Sequence, residues 1–180
     1  ILNSLRLVGR DHHLYDGVGY GNLSGRVGPF PGPRGARAFL ITGTQTGELQ
    51  CMSLDQLALV TRYEIEKNSV QSRGLIRPSS ESMTHGAVYE IGGQIRYVFH
   101  AHSQVIWRNR AALRLPTTHK LIEYGTPEMA QDVRRLVNHE RLLDRQVFAM
   151  GGHEDGIVSF GRTPEEAGSQ LIATLAEAYI

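Results

Sequence analysis

Two histidines separated by one residue, His100-Ala101-His102, are the sharpest chemical signal in the chain. On a strand, residues i and i+2 project from one face, so both imidazoles could grip one metal ion. Such a site needs a third protein ligand. The turn Gly151-Gly152-His153-Glu154-Asp155-Gly156 offers three candidates between two apolar runs. The plainer reading is a pair of half-buried histidines satisfied by backbone carbonyls, beside an ordinary hairpin turn. A second signal is Arg77-Pro78-Ser79-Ser80-Glu81, where hydroxyls and free N–H groups at a helix start could hold an anion such as phosphate. An N-cap with no ligand has the same sequence. His85 stands four residues after Glu81, on the same helix face, where it reads as a packing or supporting residue. A third signal pairs Gly19-Tyr20-Gly21-Asn22-Leu23-Ser24 with Thr42-Gly43-Thr44-Gln45-Thr46-Gly47, two stretches whose backbone could approach an oxyanion closely. Neither has the spacing of a dinucleotide fingerprint or a Walker loop. Cys51 reads as apolar packing, and His12, His13, His119 and His139 as surface residues.

These groups need elements to position them, and the pattern is a single α/β unit over residues 1–180 without internal repeats. Residues 38–42 read as a buried strand. Ser53 offers a cap for a short helix through Leu54, Leu57 and Ala58, with a strand returning at Tyr63–Glu66. Ser79 or Ser80 caps a helix to about Tyr89, and Ile95–His102 reads as a strand entering the core. Thr126-Pro127-Glu128 starts a helix with Met129, Val133, Leu136 and Val137 on its buried stripe. Residues 146–150 and 156–160 form strands around the His153 turn, and a last helix begins at Thr163-Pro164, with Glu166 at the return position of a capping box. Residues 25–38 carry three of the seven prolines, so they read as an exposed loop with Arg26, Arg34 and Arg37 solvated.

Composition narrows the function. Lys and Arg number 19 against 18 Asp and Glu, a balance that argues against a nucleic-acid partner. A lone cysteine permits no intrachain disulfide and suits a reducing, cytoplasmic setting. No run approaches the apolar length of a membrane span, and the N-terminus has no signal-peptide pattern. A chain opening on Ile1 reads as a trimmed version of a longer one.

Taken in order, Gly21-Asn22-Leu23-Ser24 with Arg26, Leu40-Ile41-Thr42 followed by Thr46-Gly47, Pro78-Ser79-Ser80-Glu81, His100-Ala101-His102, Tyr124-Gly125-Thr126-Pro127-Glu128, and Gly152-His153 before Gly156 resemble the successive signatures of the class II aldolase/adducin family, over residues 17–170. The resemblance implies a three-layer α/β/α sandwich with a mixed, largely antiparallel central sheet, and a cyclic homotetramer. It implies a divalent metal, typically Zn2+, held by His100, His102 and a third ligand. That ligand is His153 when the alignment runs from the preceding glycine, or Asp155 when it runs from the following one; His153 is preferred because imidazole suits a zinc-like site. Asn22, Thr46, Gly47, Ser79 and Ser80 match phosphate-binding positions, and Glu81 matches the acid/base carboxylate.

The implied activity is a lyase of aldolase type, making or breaking a carbon–carbon bond in a sugar phosphate or related hydroxy-carbonyl compound through a metal-stabilised enediolate. An epimerase, dehydratase or decarboxylase on the same scaffold, or a non-catalytic adducin-like binding module, are the alternatives. The chain departs from the family in the two residues inserted after His153. It departs again in the segment 103–123, which lacks the tyrosine used there as a proton donor; Tyr179 is a candidate substitute.

Overall fold

A computed structural model of the chain describes residues 1–49, 51–138 and 142–180. Seven strands, β1 (Asn22–Arg26), β2 (Phe39–Thr42), β3 (Leu57–Glu64), β4 (Ser69–Arg73), β5 (Tyr97–His102), β6 (Val147–Ala149) and β7 (Gly156–Gly161), form one sheet in the order β4-β3-β2-β1-β5-β7-β6. Every pairing between these strands is antiparallel, and an isolated bridge from Thr117 to Ala149 supplies the parallel component.

Alternation along the strands sorts the core into two layers. Val98 of β5, Val158 and Phe160 of β7, Phe148 of β6, and Phe39, Ile41, Ala58 and Val60 of β2 and β3 face helices α1 (Ser82–Ile91) and α3 (Pro127–Leu136). Ala101, Val147, Ala149 and Ile157 face the opposite way, onto α2 (Gln104–Asn109) and α5 (Pro164–Ala178) through Ile106 and Leu171. Helices therefore lie on both faces of the sheet, which is the three-layer α/β/α arrangement. The period of two puts His100 and His102 on the α1 and α3 side with Val98. A short helix α4 (Leu142–Arg145) leads into β6.

Local chemistry explains most element ends. Thr126 Oγ1 accepts from the Met129 N–H and Pro127 occupies the first turn of α3, whose buried stripe is Met129, Val133 and Leu136. Val137 falls outside that stripe and is exposed. Thr163 caps α5, while the Glu166 carboxylate reaches the Arg162 N–H rather than the cap's own. Helix α1 starts at Ser82, later than a cap at Ser79 or Ser80 predicts, because Ser79 instead closes a turn: its carbonyl accepts from Ser82 N–H and its Oγ from Glu81 N–H.

Several readings of the sequence need correction. Ser53 does stand at an N-cap, but it starts only a 3-10 turn over Leu54–Gln56. Leu57 then begins an eight-residue strand whose Ala58, Val60 and Tyr63 are buried by the core, so alternation outweighs the cap. The strand ends at Glu64 and a 3-10 turn follows over Ile65–Lys67. Arg26 closes β1 and is buried, stacked near Phe30 and Tyr89 with one nitrogen donating to the Pro31 carbonyl. Arg37 likewise donates to the carbonyls of Gly32 and Tyr89, so two of the three arginines read as solvated instead clamp the proline-rich loop. Cys51 is exposed. His12, His13 and His119 are exposed as expected, and His139 lies outside the described residues. No helix among the described residues is long and apolar enough to cross a membrane.

Candidate metal centre

β5 delivers His100 and His102 from one strand face, and the tight turn between β6 and β7 folds His153 back over them. The turn is closed by Met150, whose N–H donates to the Gly156 carbonyl, and by Gly156, whose N–H donates to the His153 carbonyl. A side chain at 156 would meet the His153 ring at 2.7 Å, so glycine there is what lets the imidazole lie down on the start of β7. The outcome is convergence: His102 Nε2 lies 3.2 Å from His100 Nε2 and 3.1 Å from His153 Nε2. The three ligand nitrogens all fall within 4.8 Å of one another.

Burial drives all three imidazoles toward the neutral form, and for His100 and His102 the neighbouring imidazoles add to it. His100 is held well below the ordinary imidazole range, His102 falls to about 3 and His153 to about 4. Neutral rings with crowded Nε2 atoms present lone pairs to one point, which suits a cation. Four-coordinate zinc with nitrogens at about 2.0–2.1 Å separates its donors by about 3.3 Å, close to the spacing here. The donor set therefore fits a borderline divalent metal, with histidine chemistry favouring zinc-like ions over calcium or magnesium.

Glu81 faces the same point from the start of α1. Its Oε1 is 3.5 Å from His100 Nε2 and 3.3 Å from His153 Nε2. Burial raises its pKa to about 8, and its Oε2 is buried without a partner. Beneath it, Ser24 Oγ sits 2.6 Å from His85 Nδ1 and 2.6 Å from the Tyr89 hydroxyl. His85 is fully buried, burial lowers its pKa to about 3, and it lies outside the three-histidine cluster.

A cavity of about 450 Å³ opens beside the histidines. Asn22, Thr46, Gly47, Ser79, Ser80 and Glu81 line it together with His100, His102 and His153, so the structure brings these nine candidates into one space. Asn22 arrives because β1 pairs with β5 at Asn22 opposite His100, and its Oδ1 is buried without a partner. The loop after β2 is docked on the Arg77–Ser79 segment by a Gly43–Pro78 bridge and by the Thr44 N–H donating to the Arg77 carbonyl. Thr46 Oγ1 donates to the Gly43 carbonyl. Gly43 also lines the cavity.

His153 and Asp155 are placed differently. The Asp155 carboxylate points to the Tyr15 hydroxyl, which donates to Oδ2 at 2.8 Å, while the His153 ring joins the cluster. Sequence reasoning missed Tyr15, which lines the cavity edge-on to His102 with ring centroids 4.6 Å apart. Tyr124 was read only as part of a motif, yet its ring lies 4.3 Å from that of His153. Tyr179, the tyrosine singled out by position, sits exposed beyond the end of α5 and does not line the cavity.

The family model described as the class II aldolase and adducin N-terminal domain matches residues 5–179. An L-fuculose 1-phosphate aldolase superposes with a TM-score of 0.62 at 20% identity, covering 88% of this chain and 72% of that one. L-fuculose-1-phosphate aldolase from Thermus thermophilus gives 0.61 at 22% identity, covering 98% and 84%. The N-terminal class II aldolase domain of a conserved protein from Thermoplasma acidophilum gives 0.62 at 17% identity, covering 99% and 90%. At these identities the structural likeness establishes a shared fold. A search of curated protein sequences gave no match.

Proposed function

The chain belongs to the class II aldolase and adducin family, and from that premise we propose that it is a metal-dependent lyase acting on a phosphorylated sugar or related hydroxy-carbonyl compound. The observation that carries the proposal is the convergence of three histidine Nε2 atoms and a buried carboxylate on one point of a hydroxyl- and glycine-lined cavity.

In this reading His100, His102 and His153 hold a divalent ion, with Zn2+ the expected metal. When bound, it supplies Lewis-acid stabilisation for the negative charge that builds on substrate oxygens as the carbon–carbon bond breaks. Glu81 moves the proton. Its carboxylate lines the cavity beside the ring nitrogens, where it is placed to take a proton from, or return it to, the carbon beside the carbonyl. Burial raises the carboxyl toward neutrality, and a cation alongside would oppose that shift. Asn22, Thr46, Gly47, Ser79 and Ser80 bind the distal end of the substrate, where hydroxyls and backbone N–H groups suit a phosphate without any surplus of Lys or Arg. Positioning by this cradle fixes which carbon Glu81 can reach.

A homotetramer and a cytoplasmic setting complete the proposal. The test is solvent exchange of a substrate's alpha proton, followed by NMR in D2O with the metal-loaded protein and a ketose 1-phosphate. Wild type is expected to exchange it, and Glu81→Gln to keep its metal while exchange falls by about 10²-fold or more. Equal exchange in both proteins removes Glu81 from the mechanism.

A further inference from the structure

Tyr15 enters the cavity from a segment that no motif marks. It opens a 3-10 turn, Tyr15–Gly17, in which both Tyr15 and Asp16 have left-handed backbone angles, φ 50° and 56°. Two successive non-glycine residues in that region are uncommon, and such strain persists only when the surroundings enforce it. The enforcement is visible. Arg10 Nε donates to the Gly17 carbonyl at 2.6 Å, and the Gly17 N–H donates to the Leu14 carbonyl. The aromatic ring is set edge-on against both His102 and Tyr20.

The hydroxyl is fixed as well. It donates to Asp155 Oδ2 at 2.8 Å, and Asp155 is itself buried, left-handed at φ 63°, and tied to α2 through its carbonyl, which accepts from the Ser103 N–H. A phenol has one proton, and here that proton is committed to a carboxylate. The phenol's remaining capacity is as an acceptor, on a ring that lines the cavity and packs edge-on against His102. A carbonyl or a phosphate oxygen offers that acceptor nothing; a hydroxyl does.

We propose that Tyr15, anchored by Asp155, is a specificity-determining residue that accepts a hydrogen bond from a substrate hydroxyl lying beside His102. The inference rests on the metal-centre reading and narrows it. The substrate class becomes compounds with a hydroxyl adjacent to the group held at the histidines, and the two residues inserted after His153 acquire a purpose, because Asp155 is one of them. The role differs from proton donation, the task that family resemblance assigns to tyrosines in this kind of site.

Glycolate and acetate are suitable probes, since they share a carboxylate and differ by one hydroxyl. Each is titrated into Co2+-loaded protein and followed by the visible absorption of the cobalt. Chelation by the glycolate hydroxyl raises its preference over acetate in every variant, so the comparison between variants isolates Tyr15. Tyr15→Phe is expected to cut the glycolate-over-acetate ratio about tenfold, with cobalt content and acetate affinity unchanged. Asp155→Gly, which suits the left-handed backbone but removes the anchor, is expected to cut it comparably. Asp155→Asn keeps an acceptor oxygen and tolerates the same backbone, and should hold the ratio within about threefold of wild type. An unchanged ratio in Tyr15→Phe and Asp155→Gly, with cobalt and both anions still binding, overturns this inference alone. Absence of cobalt uptake by the wild-type protein overturns the metal-centre reading and this inference with it.

Discussion

The cavity has two halves that are built differently. The histidine half hangs on strands: β5 sets two ligand nitrogens through its period of two, and β7 pairs with β5 so that His102 faces Gly156 and the His153 turn lands on top. The cradle half, apart from Asn22 on β1, is made of loops, where Thr46 and Gly47 follow the end of β2 and Ser79 and Ser80 precede α1, held by docking contacts between segments. Strand register fixes atoms to a few tenths of an ångström, as metal ligation demands, whereas docked loops can vary with the substrate. Under the proposed function, metal binding and phosphate recognition fall to separate kinds of structure.

The comparison can be broken most severely at the histidines. A His100→Ala, His102→Ala double variant is expected to lose metal affinity by more than about 10³-fold while keeping the fold, as measured by metal analysis and circular dichroism. Retained metal would mean that the strand-held nitrogens are not the ligands.

Acid should separate the halves next. His85, His102 and His153 have folded pKa values of about 3, 3 and 4 against an ordinary value near 6.5. The unfolded chain takes up those protons first, so the stability they contribute is present above pH 6.5 and is lost as pH falls toward 4 and 3. Glu81 has the opposite sign. Its folded pKa of about 8 means that the contribution is present below about 4.5 and disappears as pH rises through 8. Thermal melts of the metal-free protein should therefore weaken below pH 6.5, and Glu81→Gln should abolish only the loss on the alkaline side. Ser79→Ala should leave the shape of the profile alone, because that hydroxyl does not titrate.

Smaller effects test the cradle. A side chain at Gly47 would meet the Gly9 carbonyl oxygen at 2.2 Å, so Gly47→Ala must push the N-terminal segment away. The expected cost is about 1–3 kcal/mol in denaturant melts, with metal content unchanged. Ser79→Ala removes one hydroxyl from the cavity and the contact to the Glu81 N–H. It should raise KM for a phosphorylated substrate by about 5- to 30-fold, with a smaller change for its unphosphorylated counterpart. An equal rise for both would place the phosphate elsewhere.

How much of this could be read from the chain divides along the same line. His100 and His102 were legible because two residues of strand spacing imply a shared face, and residue-type order pointed to Glu81 and His153. The sandwich was legible from family order, and α3 and α5 from their capping threonines and following prolines. The rest depended on partners distant in sequence. Leu57–Glu64 became a strand because its neighbours in the sheet outvoted a good helix cap. Ser69–Arg73 is too polar to announce itself and is a strand only through pairing with β3. Arg26 looked solvated and is buried by a loop that folds over it. Tyr15 was invisible for the strongest reason: its orientation needs two left-handed residues and a carboxylate 140 positions away.

The central claim is that these three nitrogens form a metal site, and calorimetric titration of the metal-free protein with Zn2+ at pH 7 tests it most directly. The account predicts tight uptake of about one ion per chain, absent from the His100→Ala, His102→Ala variant. Wild-type protein that is folded yet binds no zinc, or binds it equally well after both histidines are removed, would contradict the account and leave the fold as a non-catalytic module of the adducin kind.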